Sequence, residues 1–119
     1  MMQKSNLQVR CVIILAVPIV AATLVAPEIS HAIDAAQLFG SKCTACHGPK
    51  GEGSQVGPAL KGDPFVTQGT PAEIKKIILT GRTEKEKKYP NYMIAMPGGL
   101  ASEAEADALV TYLKGDLQK

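Results

Sequence analysis

Cys43-Thr44-Ala45-Cys46-His47 reads C-x-x-C-H, the spacing of covalent c-type haem attachment. Two thiols three positions apart can each add to one vinyl group of the same porphyrin. The histidine directly after the second cysteine then lies under the macrocycle, where an imidazole nitrogen can bind the iron. Cys43 and Cys46 are therefore the expected thioether positions, and His47 the expected axial ligand of a single haem c. Three other readings of the pentapeptide compete. A structural zinc site needs a fourth ligand, and beyond residue 32 the chain holds no further Cys or His. A thioredoxin-like pair calls for a βαβ pattern around it, and none is visible. A disulfide between the two thiols is open to an exported protein, but it leaves His47 without a use.

Residues 1–32 read as a signal peptide that is cleaved, leaving 33–119 as a single domain. Lys4 and Arg10 give a positive start, and Cys11 to Ala26 is an apolar run interrupted by Pro18. Ser30-His31-Ala32 then supplies small residues at the places an A-x-A-like cleavage site needs them. A retained membrane span needs roughly 20 uninterrupted apolar residues, which this run does not offer. The expectation is export to the periplasm, with no stable membrane insertion after cleavage.

The 119 residues carry 13 basic and 11 acidic side chains, a net charge of +2. So balanced a chain does not point to nucleic acid as a partner. With His47 the only histidine after residue 32, bis-histidine ligation and any chemistry needing a second histidine are excluded. With two Phe, three Tyr and no Trp, the core is thin for a domain this small. A buried porphyrin would supply the missing apolar centre.

Asp34 is the expected N-cap of a first helix reaching Lys42 or Cys43, with Leu38 and Phe39 as its apolar contacts. The stretch 48–62 holds five glycines and two prolines and reads as loop. Within it, Gly57-Pro58-Ala59-Leu60 follows His47 by ten residues. A ligating imidazole usually donates its second N–H to a carbonyl or carboxylate, and the Pro58 carbonyl is the candidate acceptor for His47. Thr70-Pro71-Ala72-Glu73 is a capping box with proline at the first helical position. It opens a helix that carries Ile74, Ile77 and Ile78 and stops at Gly81. Arg82 to Lys88 is mixed in sign and reads as a solvated connection. Tyr89 and Tyr92 offer phenols either to a haem propionate or to packing.

Met96-Pro97-Gly98-Gly99 cannot continue a helix. An extended loop of that kind can bring a thioether to the open side of the iron. Met96 is the expected second axial ligand, with Met93 as the fallback. Ser102-Glu103-Ala104-Glu105 is another capping box. The helix it opens has an apolar stripe of Ala106, Leu109, Val110, Leu113 and Leu117, with Gly115 near its end and a short frayed tail beyond.

With C-T-A-C-H at 43–47, G-P-A-L at 57–60 and M-P at 96–97 before a final amphipathic helix, the chain resembles the class I monohaem cytochromes c, especially the short bacterial ones. The likeness spans essentially all of 33–119. In that family the first and last helices cross through a small residue, an aromatic four positions before the first haem cysteine, and an apolar–aromatic pair on the last helix. Ala35, Phe39, Leu109 and Tyr112 occupy those places, with alanine where glycine is common. The resemblance implies an all-α fold of three to four short helices wrapped around one covalent haem, with His47 and Met96 on the iron. It implies a periplasmic electron carrier and not an enzyme. Such a carrier would shuttle single electrons between redox partner proteins as a monomer or in weak transient complexes, with Lys42, Lys50 and Lys61 as part of a docking rim. The alternative is a tightly bound cytochrome subunit of a periplasmic oxidoreductase. An open-iron, ligand-binding haem protein would require that neither methionine coordinates.

Overall fold

The computed structural model describes residues 32–119; the signal peptide read at 1–32 lies outside them except for Ala32. Four of the five α-helices start where a side chain takes over free amides of the first turn. Asp34 accepts from Gln37 N at 3.0 Å and opens α1, Ala35–Lys42. Cys43 breaks the run for one residue, and α2, Thr44–His47, follows as a single turn. Asp63 accepts from the amides of Phe65 and Val66, and Pro64 at the first turn needs no partner, so α3 runs Pro64–Gln68. The capping boxes Thr70/Glu73 and Ser102/Glu105 both form, opening α4, Pro71–Thr80, and α5, Glu103–Lys114. Short 3₁₀ turns cover Glu84–Glu86 and Asp116–Gln118. No strand occurs among the described residues, and no helix among them is long and apolar enough to cross a membrane.

The helices pack on α5, with α1 and α4 both laid against it. Its stripe is the one read from the sequence: Ala106, Leu109, Val110 and Leu113 are all buried. Phe39 of α1 and Leu109 of α5 are each 1% exposed, and the Phe39 ring lies 5.6 Å from that of Tyr112. Ala35 is half-buried on the same face of α1. Lys42 then ties the end of α1 to the cap of α5 through Glu105 at 3.1 Å. Ile74 and Ile78 of α4 complete the cluster, while Ile77 turns elsewhere, as described below.

The Asp63-Pro64 cap yields the short α3 in a stretch to which the sequence assigned no element, and two local expectations are revised. The tail is not frayed: Leu117 is 5% exposed, and the Gln118 amide donates to the Leu60 and Leu113 carbonyls while its oxygen accepts from Gly62 N. Those bonds close the 48–62 loop onto the end of α5. Arg82–Lys88 is also more than a solvated connection. Thr83 and Glu86 form their own capping box, Glu84 pairs with Lys87 and accepts from Ala95 N at 3.0 Å, and Lys87 Nζ donates to the Tyr92 and Met93 carbonyls at 2.9 and 3.0 Å. This turn buttresses the backbone that leads into Met96.

Candidate functional site

The one-turn α2 puts Cys43, Cys46 and His47 within a single turn of backbone, with the His47 amide bonded to the Cys43 carbonyl at 2.9 Å. The imidazole is 8% exposed. Its Nδ1 lies 2.8 Å from the Pro58 carbonyl oxygen. A carbonyl can only accept, so Nδ1 is the donor, and in the neutral ring that leaves the lone pair on Nε2, the tautomer a metal-binding imidazole needs. No hydrogen bond among the described residues engages Nε2.

The Pro58 carbonyl is held where it is by close backbone approach. A Cβ on buried Gly57 would stand 2.8 Å from the Cys46 carbonyl oxygen, and one on Gly53 would stand 2.7 Å from Ala59 N. Ser54 completes the clasp, donating its hydroxyl to the Cys46 carbonyl at 2.7 Å and accepting from Val56 N at 3.0 Å. Ser54 and Gly53 carry no motif of their own in the sequence, and Gly57 enters it only as the start of the Gly57-Pro58-Ala59-Leu60 stretch. Their only advance signal is the crowding of glycine between a motif and its acceptor.

His47, Pro58 and Cys43 face a cavity of about 1020 Å³, its open mouth included. Leu60, Val66, Ile74, Ile77, Ile78 and Leu109 form much of its apolar wall, and Met96 reaches the same space. Met93 does not line it and is 90% exposed. Cys46 is half-buried on the α2 turn, outside the lining set. No disulfide joins Cys43 to Cys46. Burial pushes the Cys43 thiol up, against a smaller downward pull from the Lys42 ammonium and a smaller upward push from Cys46, the opposite of an activated redox thiol. No group of three or more His, Cys, Asp and Glu side chains gathers among the described residues as a metal-holding cluster. The donor set is therefore one imidazole nitrogen and one thioether on an apolar cavity beside two thiols. That set fits a covalently held haem.

One side of the cavity is polar. Arg82 and Lys88 both lie over the Phe65 ring, each 5.1 Å from its centre. The Tyr89 hydroxyl donates to the Asp63 carboxylate, which also lies 3.6 Å from Lys88 Nζ. Lys42 lines the cavity, whereas Lys50 and Lys61 are exposed away from it. Bonded to an anion, the phenol is harder to ionise. Tyr89 is pushed up from 10.0 to about 12, first by the Asp63 hydrogen bond and then by burial. A group whose folded pKa is raised stabilises the fold fully below its unfolded value and loses that effect as the pH approaches the folded one. The denaturant midpoint of the wild type is expected to fall more steeply between pH 10 and pH 12 than that of Tyr89→Phe. Equal falls in the two proteins would mean that Tyr89 ionises as an ordinary phenol.

The cytochrome c family model matches residues 32–115. The chain belongs to that family. Its cofactor is accordingly covalently bound haem c, and membership supports an electron-carrier role. Among solved structures, the c-type cytochrome XoxG from Methylobacterium extorquens AM1 aligns with a TM-score of 0.54 at 25% identity, over 71% of this chain and 48% of that one. The cytochrome therefore spans about half the length of XoxG. The KustC0563 c-type cytochrome aligns at 0.50 with 20% identity, over 70% of this chain and 96% of that one, a likeness of fold. The c-type cytochrome NirC gives 0.49 at 29% identity, over 69% and 86%. No curated protein matches the sequence.

Proposed function

We propose that this cytochrome is a periplasmic carrier of single electrons, that Cys43 and Cys46 attach its haem, and that His47 and Met96 are the two axial ligands of the iron. The observation that carries the reading is the convergence of Cys43, Met96 and a tautomer-fixed His47 on one apolar cavity. Bound there, haem c supplies an iron centre that takes up and releases one electron. The chain's own part is to hold and to exclude. The Pro58 carbonyl keeps the His47 ring oriented and its Nε2 basic. Leu60, Ile77 and Leu109 keep water from the cavity, which favours the less charged, ferrous state. Arg82 and Lys88 stand on the polar side, where the two propionates would find cations. A chain with both axial positions filled has no place for a substrate at the metal, so it is read as a carrier and not an enzyme. Residues 33–119 would form a single exported cytochrome c domain once 1–32 is removed.

Met93, Ile94 and Leu100 are exposed, and the last two also touch the cavity mouth. This apolar margin is what a tightly bound subunit of a periplasmic oxidoreductase would use. Weak transient contact with donor and acceptor proteins is the reading proposed here. The test is a potentiometric titration of the purified holoprotein. Reversible behaviour at about 59 mV per tenfold change in ferric-to-ferrous ratio, with no turnover of added hydrogen peroxide, is expected. Peroxide turnover well above that of free haem would replace the carrier with a catalyst.

A further inference from the structure

Gly81 does more than end α4. Its φ is +68°, it is buried, and it lies backbone to backbone against the loop that carries Met96. A Cβ there would stand 2.6 Å from the Pro97 carbonyl carbon and closer still to the Gly98 amide nitrogen and the Met96 carbonyl oxygen. The contact is reciprocal. A Cβ on Gly98 would stand 2.5 Å from the Thr80 carbonyl carbon and 3.0 Å from Gly81 N. Two backbone hydrogen bonds bracket the pair: Arg82 N donates to the Met96 carbonyl at 2.9 Å, and Gly99 N donates to the Leu79 carbonyl at 2.8 Å. Behind them, Ile74 and Ile78 fix α4 in the core.

We infer that this glycine-on-glycine contact sets how far Met96 reaches into the cavity, so that Gly81 and Gly98 are positioning residues for the second axial ligand. The inference rests on Met96 being that ligand. A methionine side chain has three rotatable bonds and adapts easily, so its reach is set by the backbone it hangs from. The atoms in the way are backbone on both sides, and none can rotate aside. A side chain at either glycine must separate the two segments by about 0.8 Å or more, because the 2.6 Å met at Gly81 and the 2.5 Å met at Gly98 both fall short of the 3.4 Å at which ordinary contact begins. A displacement of that size lengthens a bond that a thioether makes only weakly.

The test compares the holoprotein forms of Gly81→Ala, Gly98→Ala and, as control, Gly62→Ala. Gly62 has φ +74° with nothing within 4 Å of a Cβ, so it carries the conformational strain without the collision. In the first two variants the weak long-wavelength sulfur-to-iron band of the ferric protein is expected to fade, the reduction potential to drop, and added imidazole to bind at least tenfold more tightly. Covalent haem should stay at one per chain. Gly62→Ala should keep both band and potential. The wild type gives a reading that does not depend on the variants folding. The Arg82 and Gly99 amides should be protected from hydrogen exchange in the ferric protein, and should exchange at least tenfold faster once imidazole has displaced Met96. Amides that exchange like exposed loop in the untreated protein, or an unchanged band and potential in folded Gly81→Ala and Gly98→Ala, would overturn the inference. A band that survives Met96→Ala would instead sink the ligand reading beneath it.

Discussion

A protein in which Cys43 and Cys46 are both replaced by alanine is expected to give up its haem on acid–acetone extraction, while the wild type keeps one haem per chain through the same treatment. In the wild type two covalent links would hold the porphyrin at an effective concentration no dissociation can dilute. Without them, binding would rest on the proposed ligands His47 and Met96 and on apolar contact, all of which acid and organic solvent would remove. The effect should extend to the fold. The buried apolar set is short: Phe39, Val66, Ile74, Ile78, Ala106, Leu109, Val110, Leu113 and Leu117. Several of these also wall the cavity that the haem would fill. The double variant freed of haem should therefore lose its near-ultraviolet circular dichroism and unfold without a sharp transition, while keeping much of its helical signal. Single variants, each with one link left, should retain haem under native conditions. Haem that resists extraction in the double variant would mean that the attachment lies elsewhere.

Met96→Ala carries the second large effect. A thioether stabilises ferrous iron over ferric. If that preference is on the order of 100-fold, its loss lowers the reduction potential by about 120 mV, at about 59 mV per tenfold for one electron. The vacated position should also bind cyanide or imidazole. Met93→Ala is expected to change neither property, because Met93 is exposed and does not line the cavity. A drop in Met93→Ala with none in Met96→Ala would exchange the two roles.

How much of this was legible in the sequence depends on the range of each interaction. Caps are local: Asp34, Thr70 and Ser102 lie within three residues of the amides they satisfy, and each helix began where its cap stood. The Asp63-Pro64 cap was just as local and was passed over amid the loop signals around it. The His47–Pro58 pairing was readable because a ligand's second nitrogen needs an acceptor and the glycine–proline loop offered one nearby. What could not be read are contacts made by backbone across distance. Gly81 looked like a helix stop, although its neighbour is Gly98, seventeen positions on, and no side-chain pattern marks the pair. Lys87 looked solvated because a charge run carries no sign that one of its members will turn inward to two carbonyls. The tail looked frayed because Gly115 ends a helix equally well whether or not Gln118 then finds Leu60.

The most direct test of a six-coordinate carrier is the optical spectrum of the reduced wild-type protein before and after carbon monoxide. If His47 and Met96 both bind the iron, the gas finds no open position. The expected result is a low-spin c-type spectrum that carbon monoxide does not change at neutral pH, and a ferric form showing the weak long-wavelength sulfur-to-iron band. A high-spin spectrum that shifts at once on addition of the gas would show an open iron. Met96 would then lose its role, and electron carriage would give way to ligand binding.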